Sequence, residues 1–487
     1  MPVVIVHYHL RRGGVARVIR SASESLTEAG VEHVILIGEA PNMDNADLPF
    51  RIVEGLGYSE SYAGLTPLRL VHAMREAAHA ALGKRPLTWH FHNHALGRNP
   101  LMGETVAIMA ETGERLALQI HDFAEDGRPF NYRACENCQH LYPVAPQIRH
   151  VFLNSRDRDN LVRAGLPEAN AVLLPNAVTS PAKVAVPAPA GATPLVLYPV
   201  RGIRRKNLGE IFLLAALAGG AARFAVTLGP DNPRWLSIHE DWKAFGNDTQ
   251  LPVDLDVVGN LPATPGGDSS YEAWLARATH LVTTSIAEGF GLGFLEPILL
   301  GKPLFGRDLP EITCDFTAKG ITPGRLYDRL LVPESWIGME TLRQLLVRSM
   351  QETVEAYGAD MNAKTLDAAY QAMHHDGYLD FGNLPEDLQR RAILRILDRG
   401  DQDKVLVEID GDTRSAANWV ERTLQELEPT ATPAQLADYS LDAYRQRLLA
   451  LYASIEKVDA EPPSHLEKHL VLRQFLHPER FHFLQTA

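Results

Sequence analysis

The sequence predicts an α/β protein of two doubly wound, Rossmann-like domains facing a cleft, with a helical insertion in its C-terminal half. Three observations predict it. Short apolar runs alternate with helix-period segments through residues 1–178, the texture of parallel βαβ units. A Pro- and Ala-rich stretch without periodicity, Thr179–Thr193, then reads as a linker. After it the alternation restarts at 194. A chain of 487 residues is long enough for two or three domains at roughly 150 residues each.

The elements follow in order. Val3–Val6 reads as a strand, and Val15–Ala29 as a helix with Val15, Val18, Ile19, Ala22 and Leu26 on one stripe. His33–Ile37, Leu87–Phe91, Leu116–Ile120 and Val151–Asn154 read as strands, with Pro100–Thr112 and Arg156–Ala164 as helices. The second unit, 194–436, holds strands at Leu195–Pro199, Phe224–Leu228, Val253–Val258 and His280–Thr284, and helices at Leu208–Ala218 and Leu292–Leu300. Strands thin out from Thr313. Glu340–Tyr357, Ala363–His374 and Glu386–Asp398 look helical, so 313–429 reads as a helical insertion. Residues 437–487 read as a closing segment, led by the amphipathic helix Tyr439–Ile455.

Composition excludes several classes. Apolar residues at 45% and charged residues at 22% are globular values, not those of a disordered chain. With 47 Lys+Arg against 60 Asp+Glu the formal charge is −13, so nothing advertises general affinity for nucleic acid. Three cysteines make no disulfide framework, which points to a reducing, cytoplasmic setting. No signal-peptide pattern opens the sequence, and its longest helix-like uncharged apolar run, Ile211–Ala222, is too short to span a membrane.

Several stretches carry candidate chemistry. In Thr284–Gly301 a strand ends, a turn with Gly289, Gly291 and Gly293 follows, and a helix begins. Backbone there can approach a ligand, and a fresh helix start offers N–H groups to an anion. Glu288 and Glu296 bracket that turn and suit the hydroxyls of a sugar or ribose; a plain βα turn with a capping glutamate is the alternative. Arg201, Arg204, Arg205 and Lys206 cluster after another strand, placed either to clamp a diphosphate or to form a solvated basic turn. Gly13 and Gly14 open the first helix, beside Arg11, Arg12, Arg17 and Arg20. His92, Asn93, His121 and Asp122 stand at strand ends, where clefts form in such sheets. Alternating His90, His92 and His94 need no metal. Cys135-x-x-Cys138 is half a zinc site without a second pair, and the Asp-x-Asp triplets read as structural.

Taken together these stretches resemble the retaining, GT-B-fold glycosyltransferases of the glycogen-synthase-like and sucrose-phosphate-synthase-like group. Glu288-Gly-Phe-Gly-Leu-Gly-Phe-Leu-Glu296 matches the family's Glu-x7-Glu motif, and Arg201-x4-Lys206-Asn207 its phosphate clamp. Gly13-Gly14, His121-Asp122 and Leu174-Pro-Asn-Ala-Val178 match in the family's order. The resemblance implies a nucleotide-sugar held mainly by the C-terminal domain and a final helix crossing back to the N-terminal one. It implies that Arg201 and Lys206 neutralise the leaving diphosphate and that Glu296 holds the ribose. Glu288 and the backbone of Gly289, Phe290, Gly291 and Leu292 would hold the donor sugar, with His121 beside it and Gly13 and Gly14 near the phosphates or acceptor. The expectation is a metal-independent, retaining hexosyltransferase without a cofactor, acting on a small soluble acceptor. A disaccharide phosphorylase using inorganic phosphate, and a non-catalytic sugar-nucleotide-binding protein, are the alternatives. The long 313–429 segment departs from the family's usual connection.

Overall fold

The computed structural model describes residues 1–11, 13–58, 64–180, 193–263, 267–359 and 363–485. Arg12 and nearly all of the 179–193 stretch fall outside them. The first unit is a seven-stranded sheet in the spatial order 50–52, 33–37, 3–6, 88–92, 115–120, 148–152, 171–173. Every pairing in it is parallel. Its inner strands are covered on both faces, and Val3-Val-Ile-Val6 is accordingly a continuous apolar run, while Thr88–His92 buries His90 and His92 among its apolar residues. Helices Pro67–Leu82 and Met102–Glu111 cover one face. Gly14–Glu28 and Leu441–Glu456 cover the other, where Ile19, Ala22 and Leu26 share a core with Leu448, Leu451 and Ile455. Ser440 caps the latter helix by accepting from the Ala443 N–H.

The second unit is a six-stranded sheet in the order 253–254, 223–228, 195–201, 280–283, 304–307, 325–327, again parallel throughout. Leu208–Leu217 packs on one face and Leu292–Leu299 on the other. The sheet's last strand, Arg325–Tyr327, lies beyond residue 313.

The reading of 313–429 as helical is corrected. Helices Met339–Ala356, Ala363–Met373 and Glu386–Arg399 form where periodicity puts them. The segment also builds a five-stranded antiparallel sheet from Arg329–Pro333, His374–His375, Tyr378–Asp380, Leu406–Ile409 and Asp412–Ser415. Two Asp-Gly pairs turn its hairpins. Asp376 and Gly377 have φ of 44° and 83°, Asp410 and Gly411 of 53° and 81°, the left-handed values a two-residue hairpin needs. Leu330, Val332, Leu379 and Val407 bury this sheet in the same core as Leu208–Leu217. Among the described residues no helix is long and apolar enough to cross a membrane.

Candidate active site

The carboxyl ends of the parallel strands of both sheets converge on one cavity of about 530 Å³. His7 and His9 reach it from strand Val3–Val6, Asn93 from Thr88–His92, and His121 and Asp122 from Arg115–Ile120. Arg204 and Arg205 follow Leu195–Arg201, Arg234 follows Arg223–Leu228, and Glu288 and Gly289 follow His280–Thr283. This is where doubly wound sheets leave backbone ends and loops for a ligand. Gly13 and Gly14 also line it at the start of the first helix. A Cβ added to Gly14 would meet no atom within 4 Å and one on Gly13 only the Arg11 carbonyl at 3.9 Å, so these glycines face open cleft.

Lys206 and Glu288 form an ion pair, with side chains 12% and 19% exposed. The same Glu288 oxygen accepts from Ser285 Oγ at 2.6 Å, and Arg205 stands 3.8 Å from the other oxygen. Burial works to raise the Glu288 carboxyl, but Lys206 and Arg205 outweigh it and hold the group below its ordinary value. Burial lowers the Lys206 ammonium against the opposing pull of Glu288. Arg205 also donates to the Ala287 carbonyl at 2.9 Å, tying the basic loop to the Gly-rich turn.

On the opposite wall, Asn93 sits at φ 61° and its side-chain oxygen accepts from the His121 and Asp122 N–H groups at 2.7 and 3.1 Å. That bond sets the bend which delivers both residues to the cleft. The His121 ring lies 2.8 Å from His92 Nδ1, and burial holds it down to about 4, so it is neutral at pH 7. Asp122 pairs with Arg128 at 2.5 Å. The two units touch here: a Cβ on Gly289 would lie 2.7 Å from the His121 carbonyl oxygen, and the Gly289 carbonyl accepts from Asn154 Nδ2 at 2.6 Å. No larger residue fits at 289 without parting the loops.

Not every sequence-chosen residue reaches the cavity. The Arg201 guanidinium pairs instead with Asp231 at the end of the neighbouring strand, and Arg205 takes the cleft-facing place. Glu296 lies on helix Leu292–Leu299 outside the cavity lining and is bound by Arg17 at 2.5 Å across the two units. His92 is buried behind His121 and supports its ring, touching no cleft surface. The Phe290 side chain packs between Phe316 and Tyr439 in the core, and Gly291, at φ 87°, caps the helix that starts at Leu292, which leaves only the backbone of this stretch to offer. Of the four N-terminal arginines, Arg11 is paired with Glu39, Arg17 with Glu296 and Arg20 with Asp47.

Sequence reading missed Arg98, Arg128, Arg156 and Arg234 among the lining residues. Seven arginines line the cavity against the carboxylates of Asp122, Asp126, Asp157 and Glu288. Arg98 lies over Tyr58 at 5.7 Å and Arg234 over Phe130 at 5.0 Å, and among the described residues neither has a carboxylate within ion-pairing distance. A basic excess inside a chain of charge −13 was visible only once the fold gathered it. Cys135 and Cys138 are free and buried, their thiols pushed up to about 12 and about 11 by burial. Among the described residues no three His, Cys, Asp or Glu side chains are grouped to hold a metal ion.

No protein-family model matches the chain. It is 25% identical, over 488 residues covering 94% of this chain and 91% of the other, to a curated mannosylglucosyl-3-phosphoglycerate synthase of Petrotoga mobilis. Its structure is similar to a sucrose-phosphate synthase from Thermosynechococcus elongatus at TM-score 0.51 and 15% identity, covering 94% of this chain and 99% of that one. It is similar at TM-score 0.50 and 11% identity to the catalytic domain of starch synthase IV from Arabidopsis thaliana bound to ADP and acarbose, over 94% of this chain and all of that one. Anabaena HepE in complex with UDP and glucose also gives TM-score 0.50, at 11% identity, over 93% of this chain and 100% of that one.

Proposed function

We propose that this chain, a glycosyltransferase of GT-B type, moves a hexose from a nucleotide-diphosphate sugar to a hydroxyl of a small soluble acceptor, with retention and without a metal. The single observation that carries the reading is that Glu288 and Arg205 line the cleft at strand ends together with Gly13 and Gly14, while Lys206 pairs with Glu288 from outside that lining. Departure of a nucleoside diphosphate builds negative charge, and preorganised cations and helix-start amides stabilise it without reorganising. Lys206 and Arg205 are those cations, so the protein itself supplies the role a divalent ion plays elsewhere. Glu288, ionised and held by Lys206, accepts hydrogen bonds from the donor sugar's hydroxyls. The retaining step takes place on one face of the sugar, with the leaving phosphate helping to deprotonate the acceptor. Glu296 takes the ribose when Arg17 yields it.

The acceptor, in this proposal, is anionic. Among the described residues Arg98 and Arg234 face the cavity without carboxylate partners, beyond the cations a diphosphate needs. The Petrotoga mobilis relative is named for a product that contains 3-phosphoglycerate, itself an anion.

Three measurements test these readings. UDP, GDP or ADP is expected to raise the Tm, since a ligand bound only by the native state stabilises it, and mass spectrometry of a donor panel is expected to find transfer. Stabilisation by phosphate with sugar and by no nucleotide would replace this reading with a phosphorylase. Nucleotide binding without turnover of any donor would leave a sensor. Separately, Arg98→Gln is expected to raise the KM for the acceptor about tenfold, the worth of one charge-assisted hydrogen bond, with donor hydrolysis unchanged. An unaltered acceptor KM would remove the anionic acceptor.

A further inference from the structure

The antiparallel segment between Arg329 and Gln425 is the one large part of the chain that the cleft does not explain, and its polar interior ends at the basic loop. The side chains of Arg204, Asn207 and Arg307 connect them. Arg204, which lines the cleft, is held by a two-pronged ion pair to Glu386 at 2.6 and 2.9 Å, both side chains 13% exposed. Asn207, next to Lys206, sits at φ 49°, a left-handed conformation that asparagine adopts more readily than most residues with a Cβ. Its side-chain oxygen accepts from Gln389 Nε2 at 3.0 Å, and its amide donates to Glu210 at 2.7 Å and weakly to the Gly382 carbonyl. Glu210, fully buried, is in turn gripped by Arg307, which shares its guanidinium with Asp380 at 2.8 Å.

Glu386, Gln389 and Asp380 all belong to the inserted segment, whereas Arg204, Asn207, Glu210 and Arg307 belong to the parallel-sheet unit. The fit is close on both sides. A Cβ on Gly209 would lie 2.1 Å from Gln389 Oε1, and one on Gly382 would lie 2.0 Å from the Arg307 guanidinium. Among the described residues Gln389 Oε1 is buried without a hydrogen-bond partner, while its amide nitrogen and the Asn207, Glu210, Arg307 and Asp380 groups are paired, and paired buried groups of this kind hold one geometry. Thr284 Oγ1 completes the circuit from the other side, donating to the Lys206 and Asn207 carbonyls at 2.8 and 3.1 Å.

We propose that the inserted segment braces the diphosphate clamp: Gln389 and Glu386 are positioning residues that hold Asn207 and Arg204, and through them Lys206, in the geometry that meets the leaving group. This rests on the transferase reading above. A brace acts on the phosphate end of the donor alone, because Glu296, assigned to the ribose in the reading above, sits on helix Leu292–Leu299, on the face of the sheet opposite Leu208–Leu217.

The test uses the full chain with Gln389→Leu and Glu386→Gln. The probes are the nucleoside diphosphate among UDP, GDP and ADP that stabilises the wild type most, and its parent nucleoside. Affinity for the diphosphate and turnover with the matching sugar donor are expected to fall roughly tenfold, while nucleoside affinity stays at the wild-type value. Glu386→Gln changes one group at the rim of the network and guards against failure of the core variant to fold. Unchanged diphosphate affinity and turnover in both variants would overturn the brace, as would an equal fall in nucleoside and diphosphate affinity, which marks general support of the domain. A wild type that binds none of the three diphosphates counts against the transferase reading instead.

Discussion

Lys206→Ala is expected to cut transferase turnover by about 10²- to 10³-fold, the usual loss on removing one preorganised group from a charge-stabilising site. The ammonium lies at the carboxyl end of the central strand of its sheet, held by Glu288, with Arg205 alongside. The negative charge it meets exists mainly when the bond to the diphosphate breaks, so the loss falls on kcat more than on donor KM. A second consequence must be separated from the first. Removing Lys206 leaves Glu288 buried with, among the described residues, Arg205 and Ser285 to hold it, and breaking one side of a buried pair destabilises a protein by about 3–5 kcal/mol. The double variant Lys206→Ala/Glu288→Gln relieves that stray charge. Its Tm is expected to return towards the wild type while its turnover stays low. If the double variant regains turnover along with Tm, the pair is a structural element and the diphosphate clamp lies elsewhere in the cleft. Calorimetry and steady-state rates on the same three proteins decide it.

The parallel sheets were legible in the sequence because a strand buried on both faces favours a continuous apolar run, and Val3–Val6, Val34–Ile37 and Leu116–Leu118 are such runs. The strand ends followed from them, and with them Asn93, His121, Asp122, Lys206 and Glu288. The antiparallel sheet was harder to see because its strands have two to five residues, too few for a period to show. The Asp-Gly pairs at 376–377 and 410–411 are the readable signal. Helix Pro67–Leu82 carries its cap in the open, with Thr66 accepting from the Arg69 N–H and proline at the first helical position. Arg201 shows the limit of a motif. Its spacing to Lys206 is right, yet Asp231, thirty positions on and one strand over, takes its guanidinium. Arg17 and Glu296 likewise meet only because two units fold against each other. Arg98, Arg128, Arg156 and Arg234 belong to no spacing pattern, since each arrives from a different loop and only the closed cleft makes them a group.

The N-terminal unit is expected to lose stability steeply as the pH falls below 6.5. Burial, the leading cause at each ring, holds His7, His90 and His94 down to about 3 and His121 and His150 down to about 4, from an ordinary 6.5. Three of them meet neutral partners. His90 meets the Tyr452 hydroxyl at 2.8 Å, His94 the Leu141 carbonyl at 3.0 Å and His150 the Pro143 carbonyl at 2.8 Å, while at His121 the Asp122 carboxylate favours protonation but burial outweighs it. A base whose folded pKa is depressed leaves the unfolded chain binding more protons between the two values, and stability therefore falls as pH drops through that window. Each ring contributes up to about 1.4 kcal/mol per pH unit there. Glu125 opposes them. Buried and held by the Tyr142 hydroxyl, its carboxyl is pushed up to about 7, mainly by burial, from an ordinary 4.5, so its contribution grows as pH falls from 7 to 4.5. One carboxyl against five rings does not change the sign. By pH 5 the histidines together remove several kcal/mol, comparable to the whole stability of an ordinary domain. Unfolding by denaturant at pH 7.5, 6.5, 5.5 and 5.0 is expected to show this fall, and His150→Gln, distant from the cleft, to flatten it by one ring's share. Glu125→Gln is expected to steepen the acid loss and to raise stability above pH 7 by about 3 kcal/mol. Stability that stays level from pH 7.5 to 5.0 in the wild type would mean that these rings reach solvent or a carboxylate in solution, and that the histidine layer behind the cleft is open.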